Sequence, residues 1–234
     1  LCVGIDPHPG RVPALFGGDT PDGLATWGEA IVSQVAGRAC VIKPQVGLFE
    51  RLGPDGMRAL QRVCHAAQAA GLIVIADAKR GDIGSTAEGY AQAYLGKSAP
   101  FPCGAPLFAR IVEALQPAIE RLEGASGWSS LMLVAGATGP DEARALRKLA
   151  PSCLFLVPGY GAQGSGAQDA LAGFVRRGNH LEGGVVNASR SVNFPSGAAE
   201  ANDLAEWQSA IAGAIEHAQA DLTALSGVAE NANS

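Results

Sequence analysis

The run Asp77-Ala78-Lys79-Arg80-Gly81-Asp82 closes an apolar stretch, 72–76, with two carboxylates and two cationic side chains. In an extended strand residues i and i+2 share a face, so Asp77 and Lys79 are predicted to project side by side. Arg80-Gly81 turns the chain, Asp82 follows, and Gly84-Ser85-Thr86 opens a helix. A lysine held between carboxylates keeps its proton, because opposite charge favours the charged form. Such a lysine can protonate a developing carbanion. A carboxylate fixed against a substrate's own carboxylate repels it, and that repulsion ends when CO2 leaves. An isolated Asp-x-Lys is more often an ion pair that closes a strand; the neighbouring motifs shift the balance here.

Asp6-Pro7 and Lys43-Pro44-Gln45 also end apolar runs with a charge, and the proline after each keeps the charged residue extended. Further on, Val157-Pro158-Gly159-Tyr160-Gly161-Ala162-Gln163-Gly164 and Val186-Asn187-Ala188-Ser189-Arg190 follow the last two strand-like runs. Barrels often bind phosphate in the loops after strands seven and eight. Glycines let backbone N–H groups approach the anion, Arg190 offers a bidentate charge, and Gln163 is a neutral donor. Either loop alone reads equally well as a glycine-rich surface turn with a solvated arginine; their order along the chain favours phosphate.

The elements that must position these groups alternate. Continuous apolar runs at 1–6, 40–46, 72–79, 131–137, 154–159 and 184–189 are the mark of parallel strands covered on both faces. Helical stripes fall between them, at Leu24, Trp27, Ile31 and Val35, at Met57, Leu60, Cys64 and Ala67, and along 107–122. Pro140 is predicted to open a helix through Leu149. Asn202 or Asp203 is predicted to cap a last helix carrying Leu204, Trp207, Ile211, Ile215 and Leu222; the polar tail from Ser226 should fray. Strand–helix alternation implies a parallel sheet with right-handed crossovers, open or closed into a barrel. The expected fold is a (β/α)8 TIM barrel forming one domain over 1–234, although the sequence offers only six strand–helix units where eight are needed. The stretch 97–106 has no strand character yet leads into a helix, so two middle units are missing there. The expectation is that residues are left out of the sequence at this point, since a barrel lacking two strands exposes its edges.

Composition narrows the function classes. Of the 234 residues 47% are apolar and 17% charged, below the usual quarter, which suits buried strands. Net charge is −5 and no basic stripe is present, which argues against a nucleic-acid partner. The five cysteines and four histidines lack metal-ligand spacing, so no metal is expected. Cys2, Cys40 and Cys153 read as small core residues, and a reducing cytoplasm is the expected location. No basic leader precedes the opening Leu1-Cys2-Val3 and no apolar run approaches the roughly 20 residues of a membrane span, so no membrane partner is expected. An opening inside a strand-like run predicts that residues precede Leu1.

The motif Asp77-Ala78-Lys79-Arg80-Gly81-Asp82-Ile83 resembles the signature of the orotidine 5′-phosphate decarboxylase family. Gly4-Ile5-Asp6-Pro7, Lys43-Pro44-Gln45, Pro158-Gly159-Tyr160-Gly161-Ala162-Gln163-Gly164 and Asn187-Ala188-Ser189-Arg190 follow in the family's order, and His8-Pro9 is similar to the longer bacterial subgroup. The resemblance spans nearly the whole chain. It implies cofactor-free conversion of orotidine monophosphate to uridine monophosphate and CO2, with Lys79 protonating C6 and Asp77 against the reacting carboxylate. Asp6 and Lys43 would hold the ribose hydroxyls and the charged network. Asp82, Ile83 and Thr86 would reach into the other subunit of a homodimer. Gln163, Gly164, Ser189 and Arg190 would grip the phosphate. One departure stands out: the family's Thr-x-x-Pro-Tyr segment, which reads the pyrimidine, should fall near Cys103 and is absent.

Three other readings remain. A related phosphosugar lyase or aldolase shares the Asp-x-Lys-x-x-Asp core, but such enzymes hold a divalent metal through carboxylates, and the second strand here offers Lys43. A barrel that binds nucleotide without turnover fits the missing units. Arg80-Gly81-Asp82 spells an adhesion tripeptide, yet it follows a buried strand.

Overall fold

The computed structural model describes residues 1–78, 107–161, 165–199, 201 and 203–226. In chain order these form β1 (Cys2–Ile5), α1 (Pro21–Val35), β2 (Val41–Pro44), α2 (Val46–Glu50), α3 (Gly53–Ala69), β3 (Ile73–Val74), α4 (Leu107–Arg121), β4 (Ser129–Val134), α5 (Pro140–Leu149), β5 (Cys153–Val157), α6 (Ala167–Ala170), β6 (Val175–Arg177), β7 (His180–Glu182), β8 (Gly184–Ala188), α7 (Arg190–Asn193) and α8 (Leu204–Ser226). Six strands make one parallel sheet in the order β3-β2-β1-β8-β5-β4, and β6 with β7 forms a separate antiparallel hairpin.

The first strand pairs with the last, Cys2 opposite Asn187 and Val3 opposite Ala188, which is how a barrel joins its two ends. The sheet nevertheless ends at β3 on one side and at β4 on the other among the described residues. The described residues form an incomplete (β/α)8 barrel. The stretch 97–106, where residues are expected to be left out of the sequence, lies outside the described residues. The exposed edge positions fit: Ile73 is 62% and Val134 66% accessible, large values for β-branched residues on strands.

The helical stripes are where periodicity puts them. Leu24, Trp27, Ile31 and Val35 of α1 are fully buried, as are Trp207, Ile211 and Ile215 of α8. Thr20 caps α1, its hydroxyl accepting from the Gly23 N–H at 3.0 Å, with Pro21 in the first turn. Pro140 opens α5 as expected. Asp203 starts α8, its carboxylate accepting from the Glu206 N–H at 2.9 Å. Asn202, the other candidate cap, and the tail from 227 lie outside the described residues. Two stripes are only half sunk: Met57 on α3, and Ile111 and Leu122 at α4, are exposed.

Of the expected strand 72–79, Ile73–Val74 is regular, and among the described residues it pairs with β2 alone. Its hydrogen bonds to β2 still continue, from Ile75 N–H to Ile42 O at 2.9 Å and from Asp77 N–H to Pro44 O at 3.0 Å. Cys2 and Cys153 are buried as expected, whereas Cys40 precedes β2 and is exposed. At the end of the sheet away from Asp77, buried Arg147 has no carboxylate partner among the described residues. It donates to the carbonyls of Gly173, Ala150, Pro151, Cys153 and Gly183 and lies 3.9 Å over the Phe155 ring. Five carbonyl acceptors and an aromatic face offset the cost of burying the guanidinium.

Candidate active site

The carboxyl-terminal ends of the strands open into a cavity of about 670 Å3, within the usual range for a small-molecule site. Asp6, Lys43, Asp77, Ser189 and Arg190 all line it, so the structure gathers these five expected site residues. Lys79, Asp82, Ile83, Thr86, Gln163 and Gly164 lie outside the described residues.

At one side of the cavity the charges alternate. Lys43 Nζ is 3.0 Å from Asp77 Oδ2 and 4.0 Å from Asp6 Oδ1, and all three side chains are nearly buried, at 6%, 13% and 16% exposure. The register dictates this meeting. β1 and β2 align Gly4 with Lys43, and a parallel bridge pairs Gln45 with Asp77. Gln45, two residues beyond Lys43 and therefore on the same face, donates Nε2–H to Asp77 Oδ2 at 3.1 Å. A cation and an amide thus orient one oxygen of Asp77. Lys43 and Asp77 offset each other's desolvation, which neither would withstand alone. Among the described residues no three His, Cys, Asp or Glu side chains are placed to hold a metal.

The other side is polar and built on β5 and β8. Gly159 and Gly161, with φ of 98° and 73°, take the left-handed conformation that turns the 157–161 loop over the opening. Tyr160 lies between them, and its hydroxyl donates to Asp221 Oδ2 on α8 at 2.6 Å. Burial and that carboxylate together push the phenol well above its ordinary range. Gly4 is required by close approach: a Cβ there would meet Ser189 Oγ at 1.8 Å. Asn187 donates to that hydroxyl at 3.0 Å while accepting from the Cys2 thiol at 3.6 Å. Arg190 opens α7 and reaches the cavity with an exposed side chain.

Residue-by-residue reasoning missed Gln45, His8, Met132, Val134 and Leu156 as lining residues. For Gln45 a signal existed, its spacing of two from Lys43. For Met132 and Val134 the alternation along β4 was hidden, because the run 131–137 is apolar on both faces.

The comparisons agree with this geometry. The model of the family described as orotidine 5′-phosphate decarboxylase / HUMPS matches residues 1–123. The orotidine 5′-phosphate decarboxylase of Rhodopirellula baltica is 33% identical over 276 residues, covering 90% of this chain and 89% of the relative. That of Deinococcus radiodurans is 33% identical over 241 residues, covering 84% and 85%. A Streptomyces avermitilis crystal structure provisionally named for the same enzyme superposes with a TM-score of 0.64 at 27% identity, covering 95% of this chain and 91% of that one. The Rhodopirellula alignment is longer than the 234 residues available, so the relative carries positions with no counterpart here. On motif order, cavity and overall similarity alike, the chain belongs to the orotidine 5′-phosphate decarboxylase / HUMPS family.

Proposed function

We propose that this chain, acting as one catalytic domain, converts orotidine 5′-monophosphate to uridine 5′-monophosphate and CO2 without a cofactor, as a step of pyrimidine biosynthesis. The observation that carries the reading is the cavity that joins the Asp6–Lys43–Asp77 charge network to the Ser189–Arg190 turn. Those two ends suit a nucleotide that presents a carboxylate and ribose at one end and a phosphate at the other.

In this reading Asp77 lies against the substrate carboxylate. The bond from C6 to that carboxylate breaks, its electron pair stays on C6, and the Lys79 ammonium gives C6 a proton. Lys79 then regains a proton from solvent. Lys43, compensated by Asp6 and Asp77, holds the ribose hydroxyls and fixes both carboxylates. Ser189, Arg190, Gln163 and Gly164 bind the phosphate, whose binding energy is spent on the distant chemical step. The protein works in the cytoplasm as a homodimer, with Asp82, Ile83 and Thr86 contributed across the interface.

A second reading, nucleotide binding without turnover, is favoured by one observation: among the described residues the sheet ends at β3 and β4 on the flank of the cavity, where Ile75, Met132 and Val134 line it. Absorbance at the orotidine band, followed with a chelator present, separates the two. Turnover supports the decarboxylase; uridine monophosphate binding with no turnover supports the second reading; neither activity removes both.

A further inference from the structure

We infer that Asn193 is a positioning residue that sets the phosphate-binding turn against the ribose end of the cavity. The inference rests on the assignment of Ser189–Arg190 to the phosphate. Asn193 is 1% exposed and does not itself line the cavity. Its side chain has three partners on two strand ends. Nδ2 donates to Gly4 O at 2.6 Å and to Ser189 O at 2.9 Å, and Oδ1 accepts from the Asp6 N–H at 2.9 Å.

That set fixes the orientation of the amide, because two carbonyls need a donor and one N–H needs an acceptor. It also falls at a telling place. Gly4 and Asp6 flank the end of β1, where Asp6 enters the charge network, and Ser189 is the residue from which Arg190 and α7 depart. The sheet's own ladder between β1 and β8 stops earlier, at Val3 opposite Ala188. Past that point Asn193 is what holds the two chain ends in register, where they approach so closely that a Cβ on Gly4 would meet Ser189 Oγ at 1.8 Å. A buried amide satisfied on all sides locks one arrangement, since any other leaves polar groups unpaired. Asn193 therefore governs the distance from the ribose-binding carboxylate to the phosphate-binding guanidinium without touching the ligand.

The test compares uridine monophosphate with uridine, by calorimetry on the full chain, for wild type, Asn193→Ala, Arg190→Ala and the double variant. Asn193→Ala is expected to weaken the nucleotide about tenfold while changing uridine less than about twofold. In the Arg190→Ala background the same change is expected to have little further effect on the nucleotide, because the residue through which it acts is gone. A purely structural asparagine would lower the melting temperature and weaken both ligands alike, and that result overturns the inference. If Arg190→Ala alone leaves the preference for the nucleotide intact, the phosphate assignment fails and takes the inference with it. If Arg190→Ala abolishes that preference and Asn193→Ala does not reduce it, the inference alone fails. Should Asn193→Ala not fold, Asn193→Ser, which keeps one short polar group, carries the same expectations.

Discussion

Asp77 Oδ2 receives both the Lys43 ammonium and the Gln45 amide, so its orientation depends on two residues that need not touch the scissile carboxylate. Loss of a hydrogen bond to a charged group costs about 1.5 kcal/mol, which is roughly tenfold in rate if it is felt in the transition state. Gln45→Ala is expected to lower kcat about tenfold with KM nearly unchanged, as steady-state kinetics would show. A rise in KM alone would assign Gln45 to binding instead. The cysteines give a second, independent prediction. Burial pushes the Cys2 thiol from 9.0 up to about 12, with Lys43 opposing. An acid with a raised folded pKa holds its proton more tightly when folded. Its contribution is fully present below pH 9 and is lost as pH climbs toward 12. Alkaline unfolding should therefore begin above pH 9, and Cys2→Ala should flatten that limb of the stability profile. At pH 8 an alkylating reagent should modify exposed Cys40 well before buried Cys2 and Cys153, as peptide mass mapping would reveal.

Between elements, the bond from Tyr160 to Asp221 ties the loop after β5 to α8 across 61 residues of sequence. Tyr160→Phe and Asp221→Ala should each cost about 1.5 kcal/mol in denaturant unfolding. The double variant should cost little more than either, whereas additive losses would show the two side chains acting separately. This pairing was not legible in the sequence, since nothing in a lone aspartate on a polar helix face announces a distant phenol. The long helices were legible, because a stripe such as Leu24, Trp27, Ile31 and Val35 repeats over several turns and all four residues are fully buried. The short helices α2, α6 and α7, and the β6–β7 hairpin, span too few residues for any period to register. The charge network was half legible. Asp6, Lys43 and Asp77 could each be placed at a strand end, but which of them pair depends on strand register, and register is not written in any one strand.

For the whole molecule, motif order sufficed to indicate a barrel, and counting gave six strand–helix units, which matches the six-stranded sheet of the described residues. What the count did not reveal was where the sheet of the described residues ends, at β3 and β4 beside the cavity. That placement has a measurable consequence. Ile73→Thr and Val134→Thr, at positions 62% and 66% exposed, should change stability by no more than about 0.5 kcal/mol. Phe155→Ala, fully buried in β5, should cost about 3–5 kcal/mol. Losses of 2 kcal/mol or so at the two edge positions would mean that another part of the assembly covers them. The account of the molecule turns finally on proton delivery at Lys79, two residues beyond Asp77. The most direct measurement is turnover of orotidine monophosphate by the wild type and Lys79→Ala, with uridine monophosphate affinity determined on the same preparations. The account predicts decarboxylation by the wild type, at least about a thousandfold less in Lys79→Ala, and retained nucleotide binding in both. Turnover by Lys79→Ala within about tenfold of wild type would contradict it.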